Sequence, residues 1–270
     1  MTPPDPHRRS VRAIGKFLKL FYPRGHVRRV LVGPLRGVRF VVRDAMGVAY
    51  ACGMDGQQLR ALAGRVRTGQ TVYDVGGNRG QVALLFAGAV GPGGRVVCFE
   101  PVPGLADDLE RNLALNEFGE VRVVRAAAAD REGAMTFDFP EDRATQGKLR
   151  DVEPTYRHDG ASVLQVKTVT LDSVVAAGER PPDLLKIDVE GAGAAVLRGA
   201  QQILERHAPA VYIELHGPEE RAGVQDELIS RGYRIETLDG RPVSAPADDA
   251  ANVLWCVRDA PVGDIRCRDL

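Results

Sequence analysis

Short apolar runs and helical repeats alternate along most of the chain. Five runs have the length and the branched residues of buried strands, at residues 71–75, 95–99, 121–127, 183–189 and 210–216. Between them apolar residues recur every three or four positions, which predicts helices. Strands that alternate with helices form a parallel sheet with helices on both faces. Together with two further strands near the C-terminus, the pattern therefore predicts an α/β fold with a doubly wound, mostly parallel seven-stranded sheet.

The helical repeats place five helices in this part of the chain. They cover residues 56–66, 81–90, 104–116, 192–207 and 219–231. Two further strands are predicted after the last helix, at 233–238 and 252–258. The alternation is interrupted at 131–170, where two strand-like stretches, 134–139 and 162–169, flank a polar segment at 140–160. Such a segment either closes over an acceptor or is a solvated surface loop.

The N-terminal part of the chain is strongly basic. Eleven lysines and arginines precede position 44 and only one acidic residue, Asp5, although the whole chain has 36 basic and 36 acidic residues. Helical spacing predicts a basic amphipathic helix from Ser10 to Tyr22, and a short hairpin follows between Arg29 and Val42. The helix either packs on the main domain with a solvated basic face or binds a membrane surface or another polyanion.

Composition limits the classes of protein to consider. With 270 residues, 44% of them hydrophobic, the chain can bury a full core, and we divide it into a basic extension (1–55), a main domain (56–260) and a tail (261–270). Zero net charge and few aromatic residues argue against a nucleic-acid partner. The four cysteines form no C-x-x-C pair, which argues against a disulfide framework or a metal cluster.

Targeting signals are also missing from the sequence pattern. No apolar run approaches the length of a membrane span, and the N-terminus lacks the apolar core of a signal peptide. We therefore expect a cytoplasmic protein. Contact with the inner membrane face is the additional expectation if the basic helix binds lipid.

A glycine-rich turn follows the first strand of the main domain. Glycines at positions 76, 77 and 80 let the backbone turn tightly and approach a ligand closely, and the next helix directs its N-terminal amides at that ligand. Their spacing does not match the G-x-G-x-x-G fingerprint, which disfavours a nicotinamide-dependent oxidoreductase. Asp74 and Asn78 instead complete the pattern D-x-G-x-N-x-G.

That pattern resembles the S-adenosylmethionine (SAM) loop of class I methyltransferases. In this interpretation Asp74 accepts hydrogen bonds from the methionine portion, and Glu100, twenty residues past Gly80, accepts from both ribose hydroxyls. The small residues at 126–129 leave room for the adenine ring. The predicted cofactor-binding residues are Asp74, Gly76, Gly77, Asn78, Gly80, Glu100, Pro101, Ala128 and Asp188.

Polar side chains lie at or near the carboxyl ends of several predicted strands. They are Asp74, Glu100, Asp188, Glu190, Glu214 and His216. In parallel sheets ligands bind beyond the carboxyl ends of the strands, so we expect these side chains on one rim.

Six motifs resemble the FkbM-type SAM-dependent methyltransferases. They are Tyr73–Gly80, Phe99–Pro103, Asn112–Asn116, Thr170–Asp172, Leu185–Gly191 and Glu214–His216. The order and spacing agree from about Gly33 to Val257, and K-I-D-V-E-G together with F-E-P is the most specific part. Two departures stand out. Gly77 replaces the family's usual alanine, a change that a tight turn tolerates, and Gly193 replaces a glutamate and so removes a carboxylate beside the presumed acceptor pocket.

The resemblance implies a Rossmann-like class I fold, SAM as cofactor, and methyl transfer to an oxygen of a small molecule such as a sugar, a glycan or a polyketide-type metabolite. A neutral hydroxyl must lose its proton, and His216 is the first choice of base, Glu190 the second and His158 the third. Asp188 is expected beside the cofactor's methionine portion or the acceptor. A divalent cation held by Asp188 and Glu190 ranks below the metal-free mechanism. A non-catalytic SAM-binding protein is the alternative.

Overall fold

This computed structural model describes six stretches of the chain. They are residues 25–43, 56–118, 120–140, 148–149, 161–243 and 252–258. The predicted amphipathic helix, His158 and the tail lie outside the described residues. No helix in the described stretches is long and apolar enough to cross a membrane.

Thirteen strands and seven helices occur in the described residues. The strands are β1 His26–Arg29, β2 Arg39–Val42, β3 Thr71–Val75, β4 Arg95–Phe99, β5 Val121–Val124, β6 Ala127–Ala128, β7 Gly133–Pro140, β8 Lys148–Leu149, β9 Ala161–Val169, β10 Leu184–Ile187, β11 Ala210–Glu214, β12 Arg234–Thr237 and β13 Val253–Val257. The helices are α1 Gly56–Ala63, α2 Gln81–Val90, α3 Pro103–Ala114, α4 Leu171–Ala176, α5 Gly193–Arg198, α6 Gln201–Arg206 and α7 Pro218–Ile229.

The main sheet has seven strands in the order β12-β13-β11-β10-β3-β4-β5. Neighbours from β11 to β5 run parallel, whereas β13 is antiparallel to both β11 and β12. Successive side chains of one strand enter different apolar clusters, as Val72 and Tyr73 do on β3, so core material covers both faces. The predicted α/β fold with a doubly wound, mostly parallel seven-stranded sheet is confirmed.

A second, four-stranded sheet with the order β6-β9-β7-β8 is built from residues 127–169. Its long strands β7 and β9 are the two strand-like stretches that the sequence predicted, and they pair antiparallel with Gly133 opposite Thr168. The predicted strand at 121–127 ends early, because after β5 the chain leaves the main sheet and Ala127 and Ala128 pair with β9. This exchange of partners brings the second sheet to the carboxyl end of the main one.

The helix predicted at 192–207 is divided into α5 and α6. The carboxylate of Asp172 accepts from the backbone N–H groups of Gln202 and Ile203, at 2.9 and 3.0 Å, and so caps α6 at its N-terminus. At the break, a Cβ on Gly199 would lie 2.0 Å from the carbonyl oxygen of Ala129. The close approach of that carbonyl requires a glycine, and the cap on α6 lets the helix restart.

The N-terminal hairpin, β1 and β2, is held by Asn112 of α3 and by Asn116, two residues after that helix ends. Asn112 Oδ1 accepts from the backbone of Val41 at 2.8 Å, and Asn116 Oδ1 accepts from that of Arg39 at 2.8 Å. These amides satisfy backbone donors of β2 that no strand pairs. The asparagines of the Asn112–Asn116 motif therefore have a structural role that the sequence did not reveal.

Candidate functional site

The glycine turn after β3 is a strained and tightly packed loop. Gly76, Asn78 and Gly80 all have positive φ, at 85°, 49° and 87°. A Cβ on Gly76 would lie 2.0 Å from the carbonyl oxygen of Asp188, so the turn passes directly against the end of β10. The backbone N–H groups of Gly76 and Gly77 both donate to the carbonyl of Phe99, which fixes the turn to the end of β4 as well.

Gly77 is required by a neighbouring side chain. A Cβ at this position would lie 2.1 Å from Cys98 Sγ and 2.9 Å from Leu109 Cδ1. The turn tolerates the glycine, as expected, but an alanine would not fit here without a shift, because the thiol of the buried Cys98 occupies the space.

A cleft of about 730 Å³, its open mouth included, lies beyond the carboxyl ends of β3, β4 and β10. Seven of the predicted site residues line it: Gly76, Asn78, Glu100, Pro101, Ala128, Asp188 and Glu190. The lining also includes Phe137 of β7, which sequence reasoning missed, because no local pattern showed that the second sheet would reach the cleft.

Asp74 does not line the cleft, although it was predicted to contact the cofactor. Its side chain is 0% exposed and its Oδ1 lies 2.9 Å from Nζ of Lys186, which is itself 2% exposed. Lys186 Nζ also donates to the carbonyl of Gly76 at 3.1 Å. Burial alone would lower the pKa of Lys186, but the carboxylates of Asp74 and Asp188 raise it above its ordinary value. This ion pair fixes the floor of the turn.

Lys186 is another residue that the sequence analysis missed. It lies opposite Asp74 in the register of the parallel strands β3 and β10. The available signal was an opposite charge inside each of two apolar strand runs, but pairing them requires knowing which strands are adjacent. The predicted cofactor residues Gly77 and Gly80 also lie outside the cleft lining, and both pack against Leu109.

Glu100 is a nearly buried carboxylate at the edge of the cleft. It is 5% exposed, and its two oxygens accept from the backbone N–H groups of Asn78 and Val102, each at 2.8 Å. Burial raises the pKa of Glu100 to about 7, against the lowering effect of those two N–H donors. The carboxylate is therefore close to its titration midpoint at neutral pH.

His216 lies beside the cleft mouth, at the end of β11. Its Nε2 is 3.6 Å from Asp188 Oδ1 and 3.9 Å from Glu190 Oε1. Burial opposes the charged imidazole, but Glu220, Glu190 and Asp188 outweigh it and raise the pKa of His216 to about 9. The three predicted catalytic residues are thus brought together, although His216 itself does not line the cleft.

A carboxylate from another helix lies directly beside Gly193. Glu220 of α7 accepts a hydrogen bond from the backbone of Gly193 at 2.8 Å, and a Cβ on Gly193 would lie 2.8 Å from the same oxygen. Glu220 was not among the predicted site residues. In the sequence Glu220 is notable only because it lies four residues after His216. That spacing does not reveal the turn at Gly217 that brings its side chain back to His216.

One group of side chains in the described residues has the arrangement of a metal site. Asp188, Glu214 and His216 each offer a ligand atom, and these atoms lie within 4.8 Å of one another. Glu190, the partner of Asp188 in the cation alternative drawn from the sequence, is not in this group. The geometry would suit a divalent cation only if His216 were neutral, because a metal ligand needs the free nitrogen lone pair.

Known proteins similar to this chain include methyltransferases. The family model for the methyltransferase FkbM domain matches residues 74–235. No curated protein sequence matched the chain significantly. Among solved structures, the methyltransferase FkbM from Methylobacillus flagellatus KT is 15% identical, with 79% of this chain and 54% of that chain covered and a TM-score of 0.47. The chain thus spans about half the length of that protein.

Two further solved structures are similar at the same level. A SAM-dependent O-methyltransferase from Thermotoga maritima is 14% identical, with 88% of this chain and 79% of that chain covered and a TM-score of 0.48. Fibrillarin from Aeropyrum pernix, solved with bound SAM, is 14% identical, with 74% of each chain covered and a TM-score of 0.45. Since the FkbM model covers more than half of the 270 residues, the chain belongs to the FkbM methyltransferase family, whose cofactor is SAM.

Proposed function

We propose that this protein methylates a hydroxyl oxygen of a small molecule, such as a sugar, a glycan or a polyketide-type metabolite. The observation that carries the proposal is the placement of His216 Nε2 within 4 Å of Asp188 and Glu190, two residues that line the cleft. A titratable base at the mouth of a SAM cleft is needed for a neutral hydroxyl, which must lose a proton when it is methylated.

The residues present fit SAM. Gly76 lines the cleft and brings the backbone of the turn to it, and the small side chains of Ala127 and Ala128 leave space for a flat ring. We assign Glu100 to the ribose hydroxyls and Pro101 and Ala128 to the adenine side, with Gly76, Asn78 and Asp188 towards the methionine portion. Asp74, Gly77 and Gly80 support the loop and do not touch the cofactor in this assignment.

When bound, SAM supplies a methyl group that an acceptor oxygen displaces in line from sulfur. The residues around the cleft mouth then have two tasks. Asp188 and Glu190 orient the acceptor, and His216 in its neutral form takes the hydroxyl proton at Nε2. Among these groups Glu190 is the second candidate for the base.

A transfer assay tests the proposed function. Protein incubated with methyl-labelled SAM and a panel of hydroxylated sugars and polyketides is expected to place label on an acceptor oxygen, which mass spectrometry of the product locates. If folded protein binds SAM but labels no member of a broad panel, or labels only nitrogen or carbon, the alternative of a non-catalytic or differently specific SAM protein replaces this one.

Binding of SAM is expected to depend on pH through Glu100. Ribose hydroxyls donate to the ionised carboxylate, so affinity increases as pH rises through about 7, the pKa of this group. Between pH 6 and pH 8 the dissociation constant should fall about tenfold. Calorimetric titration measures it, and Glu100→Gln should bind more weakly with a flat profile. A steep profile that persists in Glu100→Gln would show that another group titrates.

We also propose that the basic N-terminal region contacts an anionic membrane surface. Residues 25–43 contain five arginines and no acidic residue, and Arg29 lies directly opposite Arg39 across the hairpin. Between the strands, the adjacent Leu31 and Val32 are 63% and 52% exposed. An apolar tip flanked by arginines has the chemistry of a lipid-headgroup contact. This contact would place a cytoplasmic enzyme at the inner membrane face.

Vesicle co-sedimentation tests the membrane contact. The full chain is expected to bind vesicles rich in phosphatidylglycerol and not pure phosphatidylcholine. Leu31→Ser/Val32→Ser should weaken binding about tenfold, because two aliphatic side chains no longer enter the interface. Val163→Ser, at a 56% exposed valine of β9, is the matched control. Equal binding by the double variant and the full chain would refute a contact through this tip.

A further inference from the structure

The carboxylate of Glu220 is fixed by two backbone groups from different elements. Its Oε1 accepts from the N–H of Gly193, at the start of α5, at 2.8 Å, and its Oε2 accepts from the N–H of His216, after β11, at 2.7 Å. The side chain is almost fully buried. Since Glu220 lies in the first turn of α7, one carboxylate ties together two helix starts and a strand end.

The same carboxylate faces one nitrogen of the His216 ring. Nδ1 is buried and has no hydrogen-bond partner at normal distance, and Glu220 Oε2 is 3.7 Å from it. Nε2 points the other way, to Asp188 and Glu190 beside the cleft. The two ring nitrogens therefore have distinct environments, one facing a fixed internal carboxylate and the other facing the reaction site.

We propose that Glu220 is the positioning residue of a Glu220–His216 pair, which keeps the Nδ1 proton towards its own carboxylate and leaves Nε2 as the atom that takes the acceptor proton. The proposal rests on the base role proposed for His216. A carboxylate that holds the imidazole in one tautomer also stabilises the imidazolium that forms.

Protons and bonds balance in this arrangement. The acceptor O–H bond breaks and its proton forms a bond to Nε2, while Nδ1 keeps its own proton. The acceptor oxygen gains the methyl group, and the electrons of the broken carbon–sulfur bond stay on sulfur. The imidazolium afterwards returns one proton to solvent, which restores the neutral base.

Gly193 is what makes room for this carboxylate. A Cβ at this position would lie 2.8 Å from Glu220 Oε1 and 2.9 Å from Ile213 Cδ1. A side chain here would force the Glu220 carboxylate and the Ile213 side chain to shift. The glycine is therefore matched to a carboxylate that arrives from α7.

Several charged groups face the imidazole and contribute to its titration. Glu220 comes from α7, Asp188 and Glu190 follow β10, Glu214 precedes it on β11, and Lys186 lies beyond Asp188 at 3.6 Å. Burial lowers the pKa of His216, and Glu220 is the first of the carboxylates that raise it to about 9. Removing the Glu220 charge should therefore lower the pKa of His216 more than removing the charge of Asp188 or of Glu190.

Titration of His216 by NMR on histidine-labelled protein tests the pair without requiring methyl transfer. Glu220→Gln is expected to lower the pKa from about 9 towards the ordinary 6.5 and to increase the tautomer protonated at Nε2. Its kcat should fall about tenfold or more at saturating SAM, with SAM affinity retained. Glu219→Gln, the same change at the exposed neighbouring residue, should alter none of these values.

Two outcomes separate this proposal from the proposed function. An unchanged pKa and tautomer in Glu220→Gln would overturn the pair, whatever the activity. A shifted pKa and tautomer together with no methyl transfer even by unsubstituted protein would support the pair and refute the function. If Glu220→Gln does not fold, Glu220→Asp is the second variant, because it retains the charge with a shorter reach. The pair then predicts a His216 pKa that stays above the ordinary 6.5, together with more of the tautomer protonated at Nε2.

Discussion

Replacing Asp74 by asparagine is expected to lower the free energy of unfolding by about 3–5 kcal/mol, because it leaves the buried Lys186 ammonium without its main counterion. Asp188, at 3.6 Å and 39% exposed, is a poor substitute. A loss of this size is a large part of the 5–15 kcal/mol of a typical domain. Urea denaturation followed by circular dichroism measures it.

A double-mutant cycle shows whether the effect belongs to the ion pair. Lys186→Met alone should also lower the free energy of unfolding, since the buried Asp74 carboxyl, whose pKa burial already raises, must then take up a proton, whereas the double variant should cost clearly less than the sum. Asp107→Asn, which breaks the exposed pair with Arg125, is the matched control and should cost about 0–1 kcal/mol. A loss below about 1 kcal/mol for Asp74→Asn would contradict the structural role of this pair.

Replacing His216 by glutamine is expected to reduce kcat about a hundredfold or more, with SAM affinity nearly unchanged. Glutamine has no group that can accept a proton at neutral pH, and His216 does not line the cofactor cleft. His207→Gln, at an exposed histidine after α6, should retain full activity. Turnover of His216→Gln within twofold of unsubstituted protein would transfer the base role to Glu190.

The pH dependence of kcat/KM is a second, independent test of His216 as the base. Because the pKa of His216 is about 9, most imidazole is protonated at pH 7, and the neutral base increases with pH. The value of kcat/KM should therefore rise about tenfold per pH unit above pH 7 and level off near pH 9. The rise should be missing in His216→Gln.

The sequence was most informative where a local pattern decides the structure. The glycine turn, the strands around it and the position of Glu100 after β4 follow from residues that are neighbours in the chain. Helix α2 was predicted with its observed bounds, Gln81–Val90. The departures at α5 and α6, and at β6, arise from contacts with distant residues, Asp172 in the first case and β9 in the second.

The site was less predictable, because its key contacts join distant residues. Asp74 was recognised as important but assigned to the ligand, since the register that places it beside Lys186 depends on the order of the strands. Gly193 was interpreted only as a lost carboxylate, and the hydrogen bond from its backbone to Glu220 depends on the turn into α7. The need for glycine at position 77 similarly depends on the Cys98 thiol, which lies on the neighbouring strand β4.

Calorimetric titration with SAM at pH 8 tests most simply whether the cleft beside Glu100 binds the cofactor. The proteins compared are the full chain, Glu100→Gln and the exposed control Glu132→Gln. Binding of one SAM per chain is predicted for the full chain and the control, with clearly weaker binding for Glu100→Gln. Equal affinity in all three proteins would place the cofactor outside this cleft. No binding by the folded full chain would contradict the assignment of a SAM site to this protein.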